Sequence, residues 1–280
     1  MLTKPRYINA GGNLIDLRIP KVMGIMNITP DSFYRGSRYS TDEEIITAAG
    51  KMVEDGAAIL DVGGYSSRPG ARDISKEEER SRVISAIKLI RGEFPDAVIS
   101  VDTFRSDIAL EAVLEAGAHI INDISGGDAD NNMFSVVGRL NVPYIMMHMK
   151  GDPATMQNNP VYDDIVADIL KYFADRIFRL RTAGVKDIII DPGFGFGKTI
   201  DHNFELMSRL DDLSIAGLPL MAGISRKSMI WKSLDITADE ALNGTTAMHA
   251  VALLKGADIL RVHDVKEAIQ AVRLVAELKY

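Results

Sequence analysis

The stretch "DIIIDPGFGFGKT", residues 187–199, runs a continuous apolar segment into a glycine-rich turn that closes on Gly-Lys-Thr. A nucleotide phosphate loop has that outline, but it requires a glycine five positions before Gly197, and Pro192 stands there. Proline fixes φ and has no N–H to offer a phosphate. The dinucleotide fingerprint fails too, because Gly193, Gly195 and Gly197 are spaced GxGxG rather than GxGxxG. What remains is an apolar run that ends in a carboxylate, Asp191, and the same design recurs along the chain.

Apolar runs at 22–27, 58–63, 98–103, 119–124, 144–149, 187–192, 220–225 and 258–263 are rich in Ile, Val, Leu and Met and rarely alternate with polar residues. Runs of this length and continuity suit strands buried on both faces of a parallel sheet. Helical patterns separate them. Thr41–Glu44, Ser75–Glu78 and Thr237–Glu240 have capping-box spacing, and Gly56, Gly117 and Gly184 stand where helices should stop. Eight strand–helix units, strand first, predict an α/β fold of the (β/α)8 TIM-barrel type. A doubly wound open sheet is the alternative, but it places its glycine-rich turn after the first strand, and "NITPDSF" is not such a turn. The expected organisation is one domain, residues 1–280, with residues 1–20 forming an N-terminal β-hairpin around Gly11-Gly12 that caps the barrel bottom.

Composition narrows the function. The net charge of −7 argues against a nucleic-acid partner, and the absence of cysteine excludes disulfides and thiolate metal sites. No apolar run reaches the roughly 18 residues of a membrane span, and the N-terminal segment lacks the apolar core of a signal peptide, so a cytoplasmic protein is expected.

In a barrel of this type the active site lies at the C-terminal strand ends. Those ends carry Asn27, Asp61, Asp102, Asn122-Asp123, His148, Asp191, the run Ser225-Arg226-Lys227-Ser228, and Arg261 with His263. Asp102, Asn122 and Asp191 form an acceptor-rich part suited to a flat heterocycle with N–H groups on its edge. Ser66, Ser67, Arg68, Arg261 and His263 form a part suited to phosphate oxygens. Asn27 is a neutral oxygen ligand of the kind that accompanies Mg²⁺ when substrate phosphates complete its shell. The expected ligand is a nitrogen heterocycle bearing a phosphate or diphosphate.

The motifs "GIMNITPDSF", "DVGGYSSRPGA", "VDTFRS", "INDISGG", "IMMHMKG", "DPGFGFGK", "GISRKSM" and "RVHDV" occur in order over residues 22–280. In these the chain resembles the dihydropteroate synthases. The resemblance implies condensation of 6-hydroxymethyl-7,8-dihydropterin diphosphate with 4-aminobenzoate, with release of diphosphate, in folate biosynthesis, and sulfonamides as competitors. It implies that Asp102, Asn122, Met147, Asp191, Gly223 and Lys227 hold the pterin. Asn27, Ser66, Ser67, Arg68, Arg261 and His263 would hold the diphosphate, with Mg²⁺ at Asn27. Ser67, Pro69, Phe196, Lys227 and Ser228 would surround the aminobenzoate. Asp102, Lys227, Asp31 and Phe33 would take the catalytic roles, the last two from a closing loop. A homodimer through the last helices is implied as well. Where the family has Glu-Ser-Thr-Arg-Pro, this chain has Tyr65-Ser66-Ser67-Arg68-Pro69, and its first loop continues "YRGSRYS" without the family's glycine pair.

Two other functions share parts of this pattern: a corrinoid-dependent pterin methyltransferase, which does not need the diphosphate and aminobenzoate residues, and a non-catalytic binding barrel. Several residues have blander readings. Lys198 is expected at the surface and the charge run 77–82 on a solvated helix face. Met146, Met147 and Met149 read as core or pocket wall, Trp231 carries no role, and His148 is either a core or a site residue.

Overall fold

The computed structural model describes residues 7–28, 39, 41–66, 73–151, 156 and 160–278. The hairpin comes first, β1 (Tyr7–Ala10) and β2 (Asn13–Asp16), paired antiparallel. Then β3 (Lys21–Asn27), α1 (Asp42–Glu54), β4 (Ile59–Gly63), α2 (Lys76–Glu93), β5 (Ile99–Asp102), α3 (Ser106–Leu114), β6 (Ile120–Asp123) and α4 (Met133–Leu140) alternate. The second half continues with β7 (Tyr144–Met147), α5 (Ile165–Thr182), β8 (Ile188–Asp191), α6 (Ile200–Ser208) and a 3₁₀ segment, Leu210–Ala216. The chain ends through β9 (Met221–Ala222), α7 (Ser228–Trp231), α8 (Leu242–Leu254), β10 (Ile259–Val262) and α9 (Val265–Ala276).

The eight strands from β3 to β10 are parallel in the order β8-β7-β6-β5-β4-β3-β10-β9, and a bridge between Ile190 and Leu220 brings the two edges together. This is the expected (β/α)8 barrel. The run at 220–225 pairs over only two residues: the Leu220 amide donates to the Asp258 carboxylate, 2.7 Å, in place of a strand carbonyl.

Strand alternation sorts the side chains into layers. Outward residues such as Val22, Met26, Leu60, Val62, Ile121 and Ile190 pack under the helices. Inward residues Met23, Ile59, Ile120, Ile145, Ile189, Met221 and Ile259 form an apolar floor, and Ile8, Ala10, Ile15 and Leu17 of the hairpin seal it from below. The hairpin therefore caps the barrel bottom, as expected. Most of the inward side chains above that floor are polar, Ile25 and Met147 excepted.

The helix starts follow the sequence in two cases of three. Thr41 and Glu44 form the full capping box of α1, and Ser75 accepts from the Glu78 amide at the start of α2. The third motif does not cap a helix. The Glu240 carboxylate takes both the amide and the hydroxyl of Thr237, 2.9 and 2.8 Å, so the hydroxyl is spent as a donor and α8 begins only at Leu242. The charge run 77–82 is also corrected: Glu79 is fully buried, 2.6 Å from the Thr103 hydroxyl and 3.1 Å from Arg105, because α2 turns that side chain onto the end of β5.

Gly138 lies inside α4, where alanine would normally stabilise by about 1 kcal/mol. A Cβ there would stand 1.9 Å from the Ala183 carbonyl oxygen at the end of α5. Gly138→Ala is therefore expected to destabilise the protein by about 1–3 kcal/mol in urea denaturation, as overpacking does.

Candidate active site

Directly above the apolar floor, the inward positions are occupied by Ile25, Asp61, Ser100, Asn122, Met147, Asp191, Gly223 and Arg261, with Asn27 and Asp102 one position higher on β3 and β5. The side chains of this layer are tied to one another across the barrel. Arg261 on β10 donates Nε to Asp61 Oδ2 on β4, 2.6 Å, and Nη2 to Asp102 Oδ2 on β5, also 2.6 Å. Asn122 Nδ2 donates to the same Asp61 Oδ2, 2.9 Å, which turns its Oδ1 outward as an acceptor. Burial pushes the Asp102 carboxyl up to about 7 against the opposing pull of Arg261. The two carboxylates keep the Arg261 guanidinium charged despite its burial. Asp61 Oδ1 and Ser100 Oγ, opposite each other by strand register, have no hydrogen-bond partner among the described residues.

Asp191 is buried at the end of β8. Its Oδ1 accepts from the Gly193 amide, 2.8 Å, and its Oδ2 lies 3.6 Å from where a Cβ of residue 223 would be, so Gly223 keeps the space beside it open. Burial raises the Asp191 carboxyl, and the charge of Lys227 opposes that shift. Lys227 donates to the Phe194 carbonyl and holds its ammonium 4.5 Å from the centre of the Phe196 ring. Burial lowers the Lys227 ammonium to about 8, with Asp191 pulling the other way.

The backbone that delivers Lys227 is strained. Arg226 has φ 53°, a left-handed conformation unusual for a non-glycine residue. It is held there by a bidentate pair to Asp264, 2.8 and 2.9 Å, and by the carbonyls of Ala238 and Asp239, 2.9 and 2.6 Å. His263 contacts Ser225 Oγ through Nδ1, 3.1 Å; burial and neighbouring Arg261 drop the imidazole to about 3, so it is a neutral hydrogen-bonding group.

Other expectations fare differently. Asn27 and Ser66 stand half-buried at the ends of β3 and β4, and Ser228 opens α7 beside Lys227. Met147 is level with Asp191 in the strand register and lines the same layer. Asp31, Phe33, Ser67, Arg68 and Pro69 lie outside the described residues. Asn122 and Asp123 separate: Asp123 points outward and binds the Tyr144 hydroxyl, 2.6 Å, and the amides of Ser125 and Gly127.

Lys198 is not at the surface. It is buried, with Nζ 3.0 Å from His148 Nδ1, 2.9 Å from the Gly193 carbonyl and 3.0 Å from the Phe196 carbonyl. Its long stem lets the ammonium collect carbonyls that the tight turn leaves without strand partners. His148 is its partner, a buried neutral histidine depressed to about 2 by burial and by Lys198. The glycines of the turn serve the same packing. A Cβ at Gly193 would sit 2.0 Å from the His148 carbonyl and one at Gly197 2.4 Å from that of Lys150, so the turn presses on the neighbouring loop. Sequence reasoning gave Glu79 and Lys198 no part and named Asp61 and Arg226 only as strand-end residues without a role; the one further signal was a carboxylate in the middle of the buried strand "ILDVG".

Comparison with known proteins agrees with this geometry. The family described as "Pterin binding enzyme" matches residues 23–263. Dihydropteroate synthase of Escherichia coli (strain K12) is 43% identical over 268 residues, covering 95% of this chain and 94% of that one. The chain belongs to the dihydropteroate synthase family. The Bacillus subtilis (strain 168) dihydropteroate synthase is 42% identical over 91% of this chain and 87% of its own. Among solved structures, the Yersinia pestis dihydropteroate synthase with a sulfonamide drug complex superposes with a TM-score of 0.93 at 38% identity, over 97% of this chain and 98% of that one. The Xanthomonas albilineans dihydropteroate synthase with 4-aminobenzoic acid gives a TM-score of 0.88 at 36% identity, over 98% of both chains.

Lys227 offers a direct test of the electrostatics. Its ammonium, followed by NMR of the ¹³C-methylated side chain, should titrate near 8, well below an ordinary lysine. Because the Asp191 carboxylate favours the charged form, Asp191→Asn should move that titration lower still.

Proposed function

We infer that the protein is a transferase that condenses 6-hydroxymethyl-7,8-dihydropterin diphosphate with 4-aminobenzoate to give 7,8-dihydropteroate and diphosphate, the folate-pathway reaction of its family. The observation that carries this is the buried layer in which Asp102, Asn122 and Asp191 offer acceptors beside Arg261 and Lys227, on the C-terminal face of the barrel. A pterin presents N–H donors and ring-nitrogen acceptors along one edge. Asp102, Asn122 Oδ1 and Asp191 accept the donors, and the Lys227 ammonium donates to the ring, while Met147 and Gly223 bound the slot.

Arg261 and the neutral His263 lie next to one another on β10 and after it, and with Asn27 and Ser66 they receive the diphosphate; Ser67 and Arg68 complete this side. The donor set fits a cation that takes most of its oxygens from substrate. Asn27 supplies one neutral oxygen, and among the described residues no group of three His, Cys, Asp or Glu can hold a metal ion by itself. When bound, Mg²⁺ neutralises charge on the diphosphate. Arg261 stabilises the charge that develops on the leaving oxygen, and Asp102 stabilises the positive charge that develops on the pterin methylene. The aryl amine is unprotonated at neutral pH, so the protein positions it and no strong base is needed. The Phe196 ring, the Lys227 stem, Pro69 and Ser228 form its wall, where sulfonamides compete. Asp31 and Phe33 contribute from the first loop.

The diphosphate requirement separates this reading from methyl transfer, and the intact set of cations separates it from a non-catalytic barrel. Diphosphate release should occur only when 4-aminobenzoate is present; release independent of the amine overturns the reading. Asp102→Ala should lower kcat by about 10²–10³, as loss of a transition-state electrostatic partner does, with the thermal transition retained. Wild-type turnover in that variant removes the assigned role.

The protein is a cytoplasmic homodimer in this reading. None of its helices, among the described residues, is long and apolar enough to cross a membrane. The paired helices α8 and α9 carry exposed Val251 and Leu254 on the first and Leu274 on the second, with Leu278 just beyond, spaced three or four residues apart on one face of each. Leu274→Glu should shift the mass measured by light scattering from dimer to monomer; an unchanged mass places the interface elsewhere.

A further inference from the structure

Asp61 is the one member of the charged layer to which the substrate roles above assign nothing. It lies deeper than Asp102: register pairs Asp102 with Gly63, and Asp61 with Ser100 one inward position below. Asp61 is fully buried, whereas the Asp102 side chain keeps 18% of its surface exposed. A pterin that reaches Asp102 therefore does not reach Asp61.

The two carboxylates hold different atoms of one guanidinium. Asp61 holds Nε and Asp102 holds Nη2. Nε and Nη2 are also the two donors that a single carboxylate grips side-on as a fork. Asp61 already has one oxygen on Nε, and its second, Oδ1, has no partner among the described residues. Only Oδ2 of Asp102 is on Arg261, and a carboxylate that turns to meet a pterin N–H loosens that hold. Without Asp61 the guanidinium would then have no partner from below, because the floor under it is Met23, Ile59 and Ile259, and an uncompensated buried cation is costly.

We infer that Asp61 is the positioning residue for Arg261: it keeps Nε throughout, and its Oδ1 takes over Nη2 when Asp102 turns to the pterin, which leaves Nη1 aimed at the diphosphate. The inference rests on the pterin site proposed above. Asp61 thereby frees Asp102 for substrate without freeing the arginine, and through Asn122 Nδ2 it also fixes the neighbouring acceptor.

The first test reads the wild-type protein itself. With ¹⁵N-arginine labelling, the Arg261 Nε–H resonance, assigned by its loss in Arg261→Lys, should stay in slow exchange when unphosphorylated 6-hydroxymethylpterin binds. Binding accompanied by loss of that protected Nε–H overturns the role of Asp61 while leaving the pterin site intact. No binding in calorimetry, or binding indifferent to Asp102→Asn, overturns the pterin site and the inference together. A double-mutant cycle gives the second measure. Asp61→Asn leaves Asp102 as the only carboxylate for Arg261 and should weaken pterin binding about tenfold, an effect that vanishes in an Arg261→Met background. Equal weakening in both backgrounds makes Asp61 a merely structural residue.

Discussion

The ion pair from Arg261 to Asp61 and Asp102 is the constraint around which the site is built. Three charges are buried on a floor of Met23, Ile59 and Ile259, in surroundings where a charge without a partner costs several kcal/mol. They persist only because β4, β5 and β10 deliver them within hydrogen-bond distance, and that delivery needs a closed barrel with a defined register. The hairpin matters for the same reason. By sealing the bottom with Ile8, Ala10, Ile15 and Leu17, it keeps water from entering beneath the polar layer. Low dielectric there strengthens every electrostatic contact the site makes and raises the Asp102 carboxyl toward neutrality.

Two buried basic side chains outside that layer work as structural ties, although burial pulls Lys198 well below an ordinary lysine. Lys198 gathers carbonyls of its own turn and the His148 ring, and so locks the loop after β8 against the loop after β7. Arg226 grips Asp264 and the carbonyls before α8, and so sustains the left-handed backbone that points Lys227 at Asp191 and Phe196. In both cases a long side chain satisfies backbone carbonyls that irregular structure leaves over, which water cannot do in the interior. The neighbours Arg226 and Lys227, alike in charge, divide the labour: one holds the loop and the other faces the pocket.

Much of the site was legible from the strand ends. Asp102, Asn122, Asp191 and Arg261 were singled out because each closes an apolar run, and the structure brings all four into one layer. Lys227, Phe196 and Gly223 needed the family resemblance, since nothing local distinguishes the lysine that faces the pocket from Lys198, which does not. Glu79 was misread because a charged residue in a run of charges carries no mark of burial; its depth comes from how α2 lies on β5. Asp61 was noticed as a strand end and given no role, since its partner stands 200 residues away in sequence.

The sequence by itself determined the alternation of buried strands and capped helices, the eight-fold count and the identity of the groups at the C-terminal ends. These are short-range properties, written in apolar periodicity and in turn chemistry. Only the tertiary structure decided which of those groups meet, how deep each lies and which cations serve the frame instead of the pocket. Burial and pairing depend on the closure and register of the barrel, and so on contacts between residues that the chain itself keeps far apart.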